Sequence, residues 1–290
     1  MGELHFVSFA DSRLKGPFRR IRRQAERMGV FGDRIHVWTE KDLSPAFRTR
    51  FAEHLVPGSR GYGYWCWKPQ VILQMFDLMQ EGDVLFYVDA GCHLNARGRK
   101  RLLEYAELAR EWGIVSFQAR SMIDSEKNNP VHHFLLEAHW SKGDLLDYFH
   151  VRDRKDVLRT GQIAGTTFFV QKDTRTQDLF RRFLAVFEEH FQLADDTPSE
   201  SPNLPGFVEN RHDQSIFGIL LKLDGYPTLS CGEYCPIRDY APEVLRGDSA
   251  WGPATWRDLR DYPIWAKHDK GGFRSYIPGW AKNLIRKVMG

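Results

Sequence analysis

The chain has 290 residues, 42% hydrophobic and 27% charged, which suits one large α/β domain or two small ones and excludes a disordered or fibrous chain. Its formal charge of +3 is too small to draw a nucleic-acid partner, and no apolar run reaches the length of a bilayer span. Cys66, Cys92, Cys231 and Cys235 contain no CxxC pair, which argues against a zinc site.

Leu4–Phe9 reads as a short apolar strand, Arg19–Met28 as a basic helix, and Arg34–Trp38 as a second strand. The opening MGELHFVSFADS is not a charged leader followed by an apolar run, so a reducing cytoplasm and free thiols are expected. Pro45–Leu55 has helical spacing of Phe47, Phe51 and Leu55. Gly58-Ser-Arg-Gly-Tyr-Gly-Tyr64 is a glycine-rich loop, and a helix is expected to start at Pro69. Val84-Leu-Phe-Tyr-Val88 is a continuous apolar run, as in a strand buried on both faces. Arg99–Trp112 follows as a helix and Ile114–Phe117 as a strand.

Val131–Tyr148 looks helical with a break near Ser141–Gly143. Thr166–Val170 is a strand and Asp178–Phe191 an amphipathic helix. Ala194–Pro205 is a polar, proline-rich loop before a helix over His212–Leu223. Beyond Gly225 the chain looks irregular. Alternating strands and helices predict a mostly parallel sheet covered by helices.

In such sheets ligands bind beyond the carboxyl ends of the strands. Asp89 stands at such an end, and small Ala90 and Gly91 leave room for a phosphate or a metal. Lys68 lies beside Tyr62, Tyr64, Trp65 and Trp67, whose faces suit uracil or a sugar, although some must serve the core. Asp213 is either a helix N-cap or a site carboxylate. Basic residues crowd both ends: Arg13, Lys15, Arg19, Arg20, Arg22, Arg23 and Arg27, then Lys267, Lys270, Arg274, Lys282, Arg286 and Lys287. Either these are solvated faces or they meet an anionic partner. Residues 277–290 read as a basic amphipathic tail, suited to packing on the domain or lying on an anionic inner leaflet.

Four segments stand in order: Gly61-Tyr-Gly-Tyr-Trp-Cys-Trp-Lys-Pro69, Gly82-Asp-Val-Leu-Phe-Tyr-Val-Asp-Ala-Gly-Cys92, Gly161-Gln-Ile-Ala-Gly-Thr-Thr-Phe-Phe-Val170 and Arg211-His-Asp-Gln-Ser-Ile216. Together they resemble bacterial GT-A glycosyltransferases of capsular-polysaccharide and lipopolysaccharide synthesis and, more distantly, glycosyltransferase family 8. The resemblance runs from Leu4 to His268. It implies a GT-A-like, Rossmann-type, mostly parallel central sheet flanked by helices, in a single domain over 1–276. It also implies a hexosyltransferase that moves sugar from a UDP-sugar to a surface glycan (lipopolysaccharide, O-antigen or capsule). The acceptor would be a glycan or lipid-linked glycan at the inner face of the cytoplasmic membrane.

By that resemblance Phe9, Ala10 and Asp11 hold the nucleotide base, and Tyr64 and Trp67 stack on the donor. Asp89, Ala90 and Gly91 fill the place of an Asp-x-Asp motif, but the second acid is missing. A divalent cation (Mn²⁺ or Mg²⁺) would take Asp89 and His268 as ligands. Without one, Lys68, Lys270 and Arg274 would neutralise the diphosphate. Gln162 would meet sugar hydroxyls, and Gly165 would allow close approach. Asp213 would act as the base in an inverting route; in a retaining route, Asp213 or Gln214 would contact the donor sugar. Competing readings are a non-catalytic sugar- or nucleotide-binding protein of the same fold and a sugar nucleotidyltransferase. The single glycine of Phe9-Ala-Asp-Ser-Arg-Leu-Lys-Gly16 disfavours the latter, and Gly91 disfavours a phosphohydrolase centred on Asp89.

Overall fold

In a computed structural model of the chain, residues 2–119, 136–236 and 255–268 are described. The sheet grows from strands whose residues are nearly all buried: β1 (Leu4–Phe9), β3 (Val84–Val88) and β6 (Thr167–Gln171). Adding β2 (Ile35–Trp38), β5 (Ile114–Gln118) and β7 (Thr228–Ser230) gives a six-stranded sheet ordered β2-β1-β3-β6-β5-β7. β1 pairs in parallel with β2 and β3, and β5 with β7, while β6 runs against both its neighbours. The sheet is therefore mostly parallel, as expected. Two-residue strands β4 (His93–Leu94) and β8 (Ile264–Trp265) form a separate antiparallel pair.

Alternation along each strand sends neighbouring side chains to opposite faces. Val7, Leu85, Tyr87 and Phe168 enter one core with α4 (Trp67–Leu78), α9 (Thr174–Glu189) and α10 (Asp213–Leu223). Phe6, Phe86, Val88 and Phe169 enter the other with α1 (Lys15–Met28) and α5 (Arg99–Trp112). Across the antiparallel β3–β6 junction, Phe86 stacks on Phe169 at 4.3 Å and Tyr87 on Phe168 at 4.9 Å. Such cross-strand aromatic pairs each stabilise the sheet by roughly 0.2–1 kcal/mol.

Several boundaries move. α1 starts at Lys15, because Pro17 is tolerated in a first turn whose N–H groups lack helical partners. α2 (Pro45–Arg50) stops early and continues as separate turns; Val56, just before Pro57, is disfavoured in helix. α4 begins at Trp67, so Pro69 lies within its first turn. Before it, the expected loop holds one tight turn, α3 (Gly61–Tyr64), in which Tyr62 and Gly63 are not helical. The break in the expected 131–148 helix lies between α6 (Glu137–Trp140) and α7 (Gly143–Tyr148); residues 131–135 lie outside the described residues. Lys155–Leu158 forms α8. Beyond Gly225 the chain adds β7 and β8, which are too short to show a period. Among the described residues no helix is long and apolar enough to cross a membrane.

Candidate active site

The site is built where β3, the turn before α4 and the start of α10 converge. Gly61, Tyr62, Gly63, Tyr64 and Trp65 all have positive φ, of 58°, 54°, 86°, 52° and 60°. Glycine adopts this region freely, but each of the three aromatic residues is disfavoured there by roughly 1–2 kcal/mol. A Cβ on Gly61 would lie 2.3 Å from the Trp65 ring. The turn is held by Trp67 Nε1 donating to Gly61 O at 2.9 Å, Gly63 N to Ser59 Oγ at 3.0 Å, and Tyr64 OH to Asp196 at 2.9 Å. It reverses the chain so that Lys68, in the first turn of α4, points inward.

Lys68 is only 2% exposed. Its ammonium donates to Gly165 O at 2.8 Å and to the Asp213 carboxylate, and lies 3.9 Å from Asp89 Oδ1. Burial alone would drag the ammonium down, but the carboxylates of Asp213 and Asp89 outweigh it and hold its pKa above the ordinary lysine value. Lys68 is therefore a buried clamp, with Asp213 and Gly165 taking N–H groups that a phosphate would need.

Asp89 follows β3, its N–H bonded to Thr166 O at 2.9 Å. Tyr87, two residues earlier on the same face, donates its hydroxyl to Asp89 Oδ1 at 2.6 Å. No hydrogen bond reaches Oδ2 among the described residues, and the side chain is 27% exposed.

Asp213 is not the N-cap. His212 holds that position without a side-chain capping bond, and Asp213 is the first residue of α10, turned towards Lys68. His212 has φ 57° and ψ −123°, a strained conformation for a residue with a Cβ. Its Nδ1 donates to Ala194 O at 2.6 Å, and its ring stacks on Trp65 at 5.7 Å. Burial pushes the Asp213 carboxyl up to about 6, against the downward pull of Lys68. A Cβ on Gly165 would press on the carboxylate, at 3.2 Å from Asp213 Oδ2.

Gln162 and Gln214 join the cluster. Gln214 Nε2 donates to Gln162 Oε1 at 2.6 Å, and Gln214 Oε1 accepts from Gly165 N at 3.3 Å. The expected donor face around the first strand is more closed. Phe9 and Trp67 pack ring on ring at 4.1 Å and are both buried, so they form floor rather than an open stacking face. Asp11 is gripped by Arg13 at 2.6 and 3.1 Å, which holds its carboxyl below the usual range. Ala10 N donates to Trp38 O at 3.3 Å. Arg20 of α1 donates to Ala90 O at 2.9 Å and to Cys92 O at 3.4 Å, on either side of Gly91, and so holds the loop after Asp89.

His268 is exposed, a short way beyond β8, and no hydrogen bond or ion pair joins it to Asp89. Lys270, Arg274 and the tail 277–290 lie outside the described residues. Among the described residues no group of three or more His, Cys, Asp or Glu side chains could hold a metal ion. Asp89 is a single carboxylate beside an ammonium, and alone it supplies too few oxygens to cage a divalent ion.

Sequence reasoning assigned no site role to Tyr87, His212 or Glu137, which accepts from Gln162 at 3.0 Å, and marked Arg20 only as one of the basic residues near the N-terminus. Only Tyr87 carried a local signal, its i, i+2 relation to Asp89 on one strand face.

No family model matches the chain, and neither does any curated protein. Among solved structures it is similar to the apo form of mouse xyloside xylosyltransferase 1, at 11% identity over 95% of this chain and 100% of that one, with a TM-score of 0.47. It is similar to the WbbM bifunctional glycosyltransferase at 10% identity over 100% of this chain and 52% of that one, TM-score 0.49. It is also similar to the galactosyltransferase LgtC, in complex with donor and acceptor sugar analogs, at 13% identity over 90% and 86%, TM-score 0.40. Identities of this size equate no residue here with a residue there.

Proposed function

We propose that the chain is a glycosyltransferase that takes a hexose from a nucleotide-diphosphate sugar, specifically a UDP-sugar. The observation that carries this reading is Lys68 holding two carboxylates from distant segments, Asp89 and Asp213, at the carboxyl end of the sheet. Asp89 Oδ2 accepts from a donor hydroxyl. The Asp213 oxygen not bonded to Lys68 faces the reacting carbon or takes the acceptor proton, and its raised pKa suits a base near neutrality. Tyr64, Gln162, Gln214 and Gly165 shape the sugar pocket, and Phe9, Ala10 and Asp11 the base pocket. Lys270 and Arg274 neutralise the diphosphate. A Mn²⁺ or Mg²⁺ ion would find Asp89 Oδ2 and His268 as its protein ligands, and substrate phosphates would have to supply the rest.

The acceptor in this reading is a lipid-linked or free bacterial surface glycan at the inner face of the cytoplasmic membrane. Support comes from α1, where Lys15, Arg19, Arg22, Arg23 and Arg27 are exposed and form no ion pair with an acidic side chain among the described residues.

The deep burial of Lys68 and Asp213 favours one rival, a sugar- or nucleotide-binding protein without turnover. Thermal-shift titration with UDP, GDP, CDP and CMP, with and without Mn²⁺, tests the donor reading. UDP stabilising most supports it, and no shift with any nucleotide sinks it. UDP binding without UDP-sugar turnover selects the rival.

A further inference from the structure

Behind the site lies a second buried charge. Glu137, at the start of α6, is 0% exposed. Its Oε2 accepts from Lys222 Nζ at 2.7 Å, and its Oε1 accepts from Ser141 Oγ at 2.6 Å and Gln162 Nε2 at 3.0 Å. A carboxylate paired with an ammonium only accepts. The amide nitrogen of Gln162 must therefore face Glu137, with help from Trp140 O at 3.4 Å and Ser215 Oγ at 3.3 Å. Gln162 then turns its oxygen to Gln214, which must answer with its NH₂ at 2.6 Å. Gln214 Oε1 is left to accept from Gly165 N–H at 3.3 Å. The far end agrees but holds more loosely, since the Gly165 N–H donates across 3.3 Å, against 2.6 Å and 3.0 Å at the links leading to Glu137. Gly165 O completes the chain by accepting from Lys68 at 2.8 Å.

We propose that Glu137 is a positioning residue that fixes the amide polarity of Gln214 through Gln162. Gln214 is half-buried, which leaves it within reach of a ligand in this reading. It meets it with a set pattern: an acceptor oxygen on the Gly165 side and a donor N–H on the Gln162 side. That pattern matches adjacent hydroxyls of a donor sugar, one donating and one accepting. The inference rests on the nucleotide-sugar reading for its substrate, but the polarity itself does not.

Two measurements test it. Neutron diffraction from a deuterated crystal of the whole chain should place both deuterons of Gln214 on Nε2 facing Gln162; the reversed amide overturns the relay. The double variant Glu137→Gln with Lys222→Met keeps size and removes the paired charges, and the neutral amide that replaces the carboxylate no longer dictates the polarity of Gln162. The expected result is a KM for the donor sugar raised about tenfold, as one misdirected buried hydrogen bond produces, with the acceptor KM unchanged. A folded double variant with wild-type donor KM overturns the proposal and leaves Glu137–Lys222 as a structural pair. If the wild type turns over no nucleotide sugar, the functional reading falls, and the neutron map alone decides the polarity.

Discussion

Lys68 and Asp213, 145 residues apart in the chain, meet as a buried ion pair whose lysine also faces Asp89. Removing one member of such a pair strands the other charge inside the protein, a loss of about 3–5 kcal/mol. Lys68→Met should therefore lower the stability by about that much in urea unfolding. The double variant Lys68→Met, Asp213→Leu should lose clearly less than the sum of the two single changes. Additive losses would show that the two side chains are not coupled.

The pH dependence follows from Asp213, whose carboxyl burial pushes up to about 6. Turnover that needs the ionised form should fall as pH drops through about 6, and Asp213→Asn should abolish that limb together with most of the activity. Stability has the opposite sign. The folded carboxyl binds its proton more readily than the unfolded one, whose pKa is near 3.9. This group therefore favours the fold most at low pH and loses that contribution as pH rises from about 4 to about 6. Comparing thermal midpoints of wild type and Asp213→Asn across that window checks the sign.

Much of this arrangement was legible because burial writes itself into local pattern. The run Val84–Val88 announced a central strand, and Arg99–Trp112 matched its helix end to end. Asp89 stood out as a strand-end carboxylate beside small residues. Lys68, Gly165 and Asp213 also stood out singly, but their meeting did not, because they come together from segments far apart in the chain. The left-handed turn was half visible. Gly61 and Gly63 signal positive φ, but nothing local predicts the same of Tyr62, Tyr64 and Trp65. Glu137 had no signal, since its meaning depends on Lys222 and Gln162 closing around it.

Tyr87 is predicted to tune Asp89 rather than to hold the fold. Tyr87→Phe keeps the ring against Phe168 and deletes only the hydroxyl that donates to Asp89 Oδ1. A hydrogen bond to a charged group contributes about 1.5–3 kcal/mol, so kcat/KM should fall roughly tenfold to a hundredfold. The thermal midpoint should move by only a few degrees, and unchanged kinetics would remove Tyr87 from the site.

The basic face of α1 predicts membrane binding that salt weakens. Vesicles containing anionic lipid should sediment with the wild type at low ionic strength and release it as salt is raised. Arg19→Glu with Arg23→Glu should lose most of that binding and keep turnover of a soluble donor. No binding to anionic vesicles at low ionic strength would assign the face to solvent.

Asp89 carries the central claim, and release of UDP from a UDP-sugar by wild type and Asp89→Ala tests it most directly. The account predicts measurable release by the wild type and a loss of at least about a hundredfold in the variant, with a folded protein by circular dichroism. Release by a folded Asp89→Ala at the wild-type rate would contradict it.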